Sequence, residues 1–168
     1  MLHLSNKKIR QYLHLAEYIA DNFPDCKRGK VACILVSDNG ITFGYNGGAA
    51  GDPQSCIGGE PGLCGCVHAE ANAVAKSMLT GNIVAFCTTA PCKVCAAFFV
   101  NHGVKQVYYS GDYRSDAGIL LLRRCNVSVT KVELRLYTTR KIIGQIQGYC
   151  FLDGAEWKLA RWRYECYL

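Results

Sequence analysis

The sequence predicts an α/β sandwich whose first strands form an antiparallel hairpin and whose later strands run largely parallel. Three observations predict it. An amphipathic helical pattern opens the chain, a hairpin pattern follows, and from residue 69 to about 129 helical and strand patterns alternate.

Residues 6–23, NKKIRQYLHLAEYIADNF, place Ile9, Tyr12, Leu13, Ala16, Ile19, Ala20 and Phe23 at helical spacing, with Ser5 as N-cap. Val31–Val36 and Ile41–Tyr45 flank Ser37-Asp38-Asn39-Gly40, a hairpin turn with glycine where positive φ is usual. A glycine-rich loop, residues 44–51, follows and lets backbone amides approach an anionic or sugar group. Residues 52–67 read as irregular. A helix is expected over Ala69–Leu79, stopped by Thr80-Gly81-Asn82, then a buried strand over Ile83–Thr89. Cys92–His102 reads as the next helix, with Gly103 as its stop and His102 in its last turn. A strand at Gln106–Ser110, a helix at Ala117–Arg124 and a strand from about Val127 complete the pattern.

The 168 residues suit one domain with a proper core, and half of them are hydrophobic. No apolar run approaches the ~20 residues that span a bilayer. The start, MLHLSNKKIRQYLHLAEY, is too charged and amphipathic for a signal peptide, so a cytoplasmic location is expected. Eleven cysteines, an odd number, argue against a complete disulfide framework and for metal ligands and buried thiols. The net charge of +6 suits an anionic partner without choosing between nucleotide and nucleic acid.

Chemistry concentrates in two clusters, His68-Ala69-Glu70 and Pro91-Cys92-Lys93-Val94-Cys95. They spell H-x-E followed by P-C-x-x-C, the pattern of zinc nucleobase deaminases. One imidazole and two thiolates supply three ligands and leave the fourth tetrahedral position open. Zinc lowers the pKa of a bound water from about 15.7 to roughly 7, giving a nucleophile at neutral pH. Glu70 is placed to carry protons between that water, a ring nitrogen and departing ammonia. Cys92 and Cys95, three apart at a helix start, share a face. His68 and Glu70 converge only near a helix mouth, so His68 is expected in the first turn of its helix. A CxxC beside an unrelated histidine is the plainer reading of either half alone, but both halves in order outweigh it. His3 and His14 fall outside any ligand pattern.

From Val31 to about Val129 the chain resembles the deoxycytidylate (dCMP) deaminase family, of the zinc-dependent cytidine deaminase superfamily. The matching pieces are Lys30-Val31, Gly44-Tyr45-Asn46-Gly47, Val67 to Ala73, Thr89 to Ala96, and Val107-Tyr108-Tyr109 leading to Tyr113-Arg114. The resemblance implies a cytidine-deaminase-like three-layer α/β/α sandwich around a five-stranded mixed sheet. It implies zinc-dependent conversion of dCMP to dUMP, with His68, Cys92 and Cys95 as zinc ligands and Glu70 as proton shuttle. Asn46 would bind the deoxyribose, and Ala69, Tyr113 and Arg114 would line the substrate. A homo-oligomer, in many members a hexamer, is implied too, as is control by dCTP or dTTP. Ala49 stands where the family's loop usually has proline, and Ala90 where serine usually precedes Pro91.

Some members, phage enzymes among them, carry a second, structural zinc; a phage-encoded chain would work in the host cytoplasm. Cys26 and Cys56 lie close to where those members place two ligands, and Cys64 and Cys66 would complete a closed Cys₄ site. Cys33, Cys87 and Cys125 read as core residues. Residues 1–132 are expected to form the deaminase domain and 133–168 a C-terminal extension. That extension mixes Arg135, Arg140, Lys141, Lys158, Arg161 and Arg163 with Tyr137, Tyr149, Phe151, Trp157, Trp162, Tyr164 and Tyr167. Packing or oligomer contact is preferred there to nucleic-acid binding. The competing functions are a deaminase of tRNA or single-stranded DNA and a non-enzymatic zinc-stabilised module. An intact Glu70 beside His68 argues against the last, because a structural site needs no proton shuttle.

Overall fold

The computed structural model describes residues 4–52, 56–59 and 63–134 of the chain. The basic, aromatic segment from Arg135 onward lies outside the described residues. In chain order come α1 (Asn6–Asn22), β1 (Ala32–Ser37), β2 (Gly40–Tyr45), α2 (Ala69–Ala75), β3 (Ile83–Thr89), α3 (Lys93–Asn101), β4 (Val104–Gly111), α4 (Ala117–Arg124) and β5 (Ser128–Lys131). The strands form one mixed sheet in the order β2-β1-β3-β4-β5. β1 pairs antiparallel with both β2 and β3, whereas β3–β4 and β4–β5 are parallel. This is the expected three-layer sandwich.

Strand alternation builds two cores, because successive side chains point to opposite faces. Ala32, Ile34, Val36, Val84 and Phe86 face α1, meeting its buried Ile9, Leu13, Ala16, Ile19 and Ala20. Burying Ile9, Leu13 and Ile19 contributes roughly 1.5–3 kcal/mol each. Phe86 also stacks between Tyr12 and Tyr108, with ring centroids 4.8 and 5.5 Å away. Cys33, Leu35, Ala85, Cys87 and Val107 face the other way, onto Ala69, Ala73, Ala96, Phe99 and Leu122 from α2, α3 and α4. Val132 and Leu134 pack on the α1 side of the sheet. No helix among the described residues is long and apolar enough to cross a membrane.

Ser5 caps α1 as expected, its hydroxyl accepting from the Lys8 N–H at 3.3 Å. The helix after His68 is shorter than expected, ending at Ala75 instead of Leu79. The hairpin turn captures the backbone there: Asn39 Nδ2 donates to Met78 O at 3.5 Å, and Thr80 N donates to Asn39 Oδ1 at 3.2 Å. Cys125 does not join the core. It caps the C-terminus of α4 and is exposed, because Val127 turns inward in its place. His102 caps α3 ahead of Gly103, whose φ is +84°, and its Nε2 is buried with no hydrogen-bond partner.

The topology gathers one end of the sheet. β1 runs against β3, so the entry to β1 lies beside the exit from β3, and the exit from β2 lies beside both. Asn46, Val31, Thr89 and the segment after β4 therefore meet at one edge, where ligands of open α/β sheets bind.

Candidate active site

His68 is the N-cap of α2 with extended φ and ψ, one position earlier than expected, so Glu70 lies in the first turn. Cys92 is the N-cap of α3, with the Cys95 N–H donating to its sulfur at 3.5 Å. Pro91 therefore precedes the cap. The two helix mouths bring His68 Nδ1 to 3.6 Å from Cys92 Sγ and 3.4 Å from Cys95 Sγ. Bond lengths of about 2.0–2.3 Å at a tetrahedral Zn²⁺ separate its ligand atoms by roughly 3.5 Å. The donor set fits zinc without rearrangement.

The protons among these donors are unevenly held. The Cys92 thiol is pulled down to about 3, chiefly by the hydrogen bond from the Cys95 side chain and with help from His68. Cys95 is pushed up by its bond to Cys92 and by burial, and His68 is raised by its bond to Cys92. Glu70 is only 4% exposed, and that burial raises its carboxyl above the ordinary carboxylate range. A carboxyl raised in that way takes a proton more readily than an exposed one and can hand it on.

Two glycines seat the ligand-bearing helices. A Cβ on Gly44 would meet Ala69 O and Ala73 N, each at 2.3 Å, so β2 touches the backbone of α2. Gly44 thus belongs to a strand and makes room for a helix of its own chain. A Cβ on Gly118 would meet Pro91 O at 2.0 Å, so α4 presses on the entry to α3.

A cavity of about 180 Å³ opens over this centre. His68, Ala69, Glu70 and Cys92 line it together with Asn46, Tyr113 and Arg114, so the expected substrate-facing residues converge on one space. Arg114 lies 5.3 Å over the Tyr113 ring. Asn46 is already engaged: its Oδ1 accepts from the Val31 N–H and its Nδ2 donates to Gly29 O, both at 2.7 Å. One N–H and one lone pair remain for a ligand. Arg28 and Thr89 also line the cavity; the sequence pattern does not single out Arg28, and it includes Thr89 only as the start of the Thr89 to Ala96 piece. The available signal for Arg28 was the basic run Lys27-Arg28-Gly29-Lys30 beside Cys26.

Cys26, Cys56, Cys64 and Cys66 form a second cluster, every sulfur within 4.8 Å of the others. Cys56 and Cys26 are 3.9 Å apart, close to the roughly 3.8 Å edge of a tetrahedral zinc–thiolate site. Backbone N–H groups of Lys27 and Gly58 lower the Cys56 thiol to about 7, which suits a thiolate ligand. Cys64 is lowered by the Cys66 N–H and by Arg28, whereas burial raises Cys66. Cys33 and Cys87 face each other across β1 and β3 at 3.7 Å, wholly buried and in no group of three metal donors among the described residues, and are core thiols as expected.

A family model described as the cytidine and deoxycytidylate deaminase zinc-binding region matches residues 6–111. The deoxycytidylate deaminase of Schizosaccharomyces pombe is 30% identical over 129 residues, covering 67% of this chain and 39% of that protein. The chain therefore spans about two fifths of that curated relative. The deoxycytidylate deaminase of Mycobacterium phage D29 is 33% identical over 104 residues, covering 51% of this chain and 80% of its own. The dCMP deaminase of cyanophage S-TIM5, solved in complex with dCMP and dUMP, aligns with 34% identity and a TM-score of 0.70, over 77% of this chain and all of that one. Matched along most of its described fold and through both ligand clusters, the chain belongs to the cytidine and deoxycytidylate deaminase zinc-binding family.

Proposed function

We propose that the chain hydrolyses dCMP to dUMP and ammonia. The observation that carries this reading is the clustering of His68, Cys92 and Cys95 beside a cavity lined by His68, Cys92, buried Glu70 and two arginines. Similarity to the cyanophage enzyme crystallised with dCMP and dUMP supports the substrate. His68, Cys92 and Cys95 would hold the zinc, which when bound would supply a Lewis acid and a water acidified to near neutrality. Glu70 takes a proton from the attacking water and delivers protons to the ring nitrogen and the leaving amino group. A C–O bond forms at the amino-bearing carbon, the C–N bond breaks, and ammonia departs. Tyr113 and Ala69 flank the base, Asn46 offers its remaining amide valences to the sugar, and Arg28 and Arg114 receive the phosphate.

Exposed Val94 and Phe98, one turn apart on α3, and Leu120 on neighbouring α4 supply an apolar face that suits a homo-oligomer. Cysteines gathered as metal ligands and as buried core thiols suit a cytoplasmic, reducing compartment. The Gly44–Gly51 region remains the place where dCTP or dTTP would act.

The test is a substrate panel of dCMP, dCTP, deoxycytidine and a cytosine-containing oligonucleotide, followed by product chromatography with and without dCTP and dTTP. Conversion of dCMP to dUMP is expected. Turnover of the oligonucleotide alone overturns the reading.

A further inference from the structure

Arg28 lies beside the tetracysteine cluster, and Cys26, Cys64 and Cys66 line the cavity with it. Its Nη1 donates to Cys64 Sγ at 3.7 Å, and the same side chain lines the cavity. The preceding residue is tied in as well, since the Lys27 N–H donates to Cys56 Sγ at 3.4 Å. On the other side, Asn46 holds Gly29 and Val31 through its amide. Residues 26–31 are thus pinned by sulfur at one end and by Asn46 at the other. The partner loop is irregular where it is described, and the sulfurs, an Ile57–Cys64 backbone bond and the Gly47–Val67 bridge tie it down.

A guanidinium carries five N–H donors in a rigid fork, so one bond to sulfur leaves others facing the cavity. Four thiolates on a divalent cation carry a net charge of about −2, which holds an arginine in place. From this juxtaposition we propose that Arg28 is a positioning residue that couples the tetracysteine metal site to the anionic end of the nucleotide. Metal in the cluster orders Cys64, Cys64 orients Arg28, and the oriented guanidinium receives the phosphate without further ordering cost. This rests on the dCMP reading above.

The experiment is a double-mutant cycle on dUMP binding by calorimetry, with metal content measured in parallel. Cys56 is the one member of the cluster that does not line the cavity, so Cys56→Ser weakens the cluster without altering a lining side chain. Cys56→Ser is expected to hold one zinc fewer and to bind dUMP about tenfold more weakly, a usual size for coupling. In an Arg28→Gln background the same change should alter dUMP binding little, and deoxyuridine should be indifferent throughout. A folded, zinc-depleted Cys56→Ser with wild-type dUMP affinity overturns the proposal, as does an equal loss in the Arg28→Gln background. Should Cys56→Ser not fold, cadmium-loaded wild-type protein serves. Its two sites give separate ¹¹³Cd resonances, because the shift follows the number of bound sulfurs. By reciprocity, saturating dUMP should raise retention of the tetracysteine cadmium against a chelator about tenfold, and Arg28→Gln should abolish that gain. Equal retention with and without dUMP overturns it. A wild-type protein that binds no dUMP overturns the substrate reading itself, and the coupling with it.

Discussion

Gly118 touches Pro91: a methyl group added to the glycine would lie 2.0 Å from the proline carbonyl oxygen, well inside contact distance. That contact sets where α3 begins and therefore where Cys92 points. Gly118→Ala forces backbone apart at a metal ligand, and overpacking of this kind costs about 1–3 kcal/mol or more. The expected outcome is a lower unfolding midpoint together with zinc lost from the His68 site, read by denaturant titration and metal analysis. A variant with wild-type stability and metal content would refute the seating role.

Glu70→Gln keeps the size of the side chain and removes its proton path. Zinc should stay at wild-type content while turnover falls by about 10²–10⁴-fold, the usual contribution of a positioned acid–base group. Near wild-type turnover would remove Glu70 from the mechanism.

Asn46 serves the fold before it serves a ligand. Asn46→Ala leaves the Val31 N–H and Gly29 carbonyl without their side-chain partner, at about 1–3 kcal/mol for each group left unsatisfied. Both stability and the KM for dCMP should suffer, measured by chemical denaturation and initial rates. Loss of KM with unchanged stability would mean that the side chain acts on the ligand alone.

Cys33 and Cys87 supply the contrast to the ligand cysteines. Cys33→Ala should cost about 1–2 kcal/mol through lost packing while leaving zinc content untouched. A zinc equivalent lost with Cys33 would make it a ligand.

Metal analysis of the intact protein should return about two zinc ions per chain, one for each donor cluster. A single equivalent would leave Cys26, Cys56, Cys64 and Cys66 as loop thiols.

Much of this protein is legible from residue order alone. The hydrophobic spacing of α1, the apolar run of β3 and the P-C-x-x-C start of α3 each state their element, because they rest on contacts within a few residues. The zinc chemistry is legible for a similar reason: imidazole, thiolate and carboxylate have few other uses in that arrangement. What the sequence left open depends on contacts between distant segments. The early end of α2 follows from Asn39 capturing the backbone at Met78 and Thr80, and the exposure of Cys125 follows from how α4 meets Val127. Arg28 gained its place when the loop carrying Cys64 folded against it, and Gly44 and Gly118 gained theirs when two helices closed to backbone contact. Local patterning chose the elements and the reactive groups. Only the folded chain, in which steric exclusion and long-range hydrogen bonds act, decided which of them share a cavity.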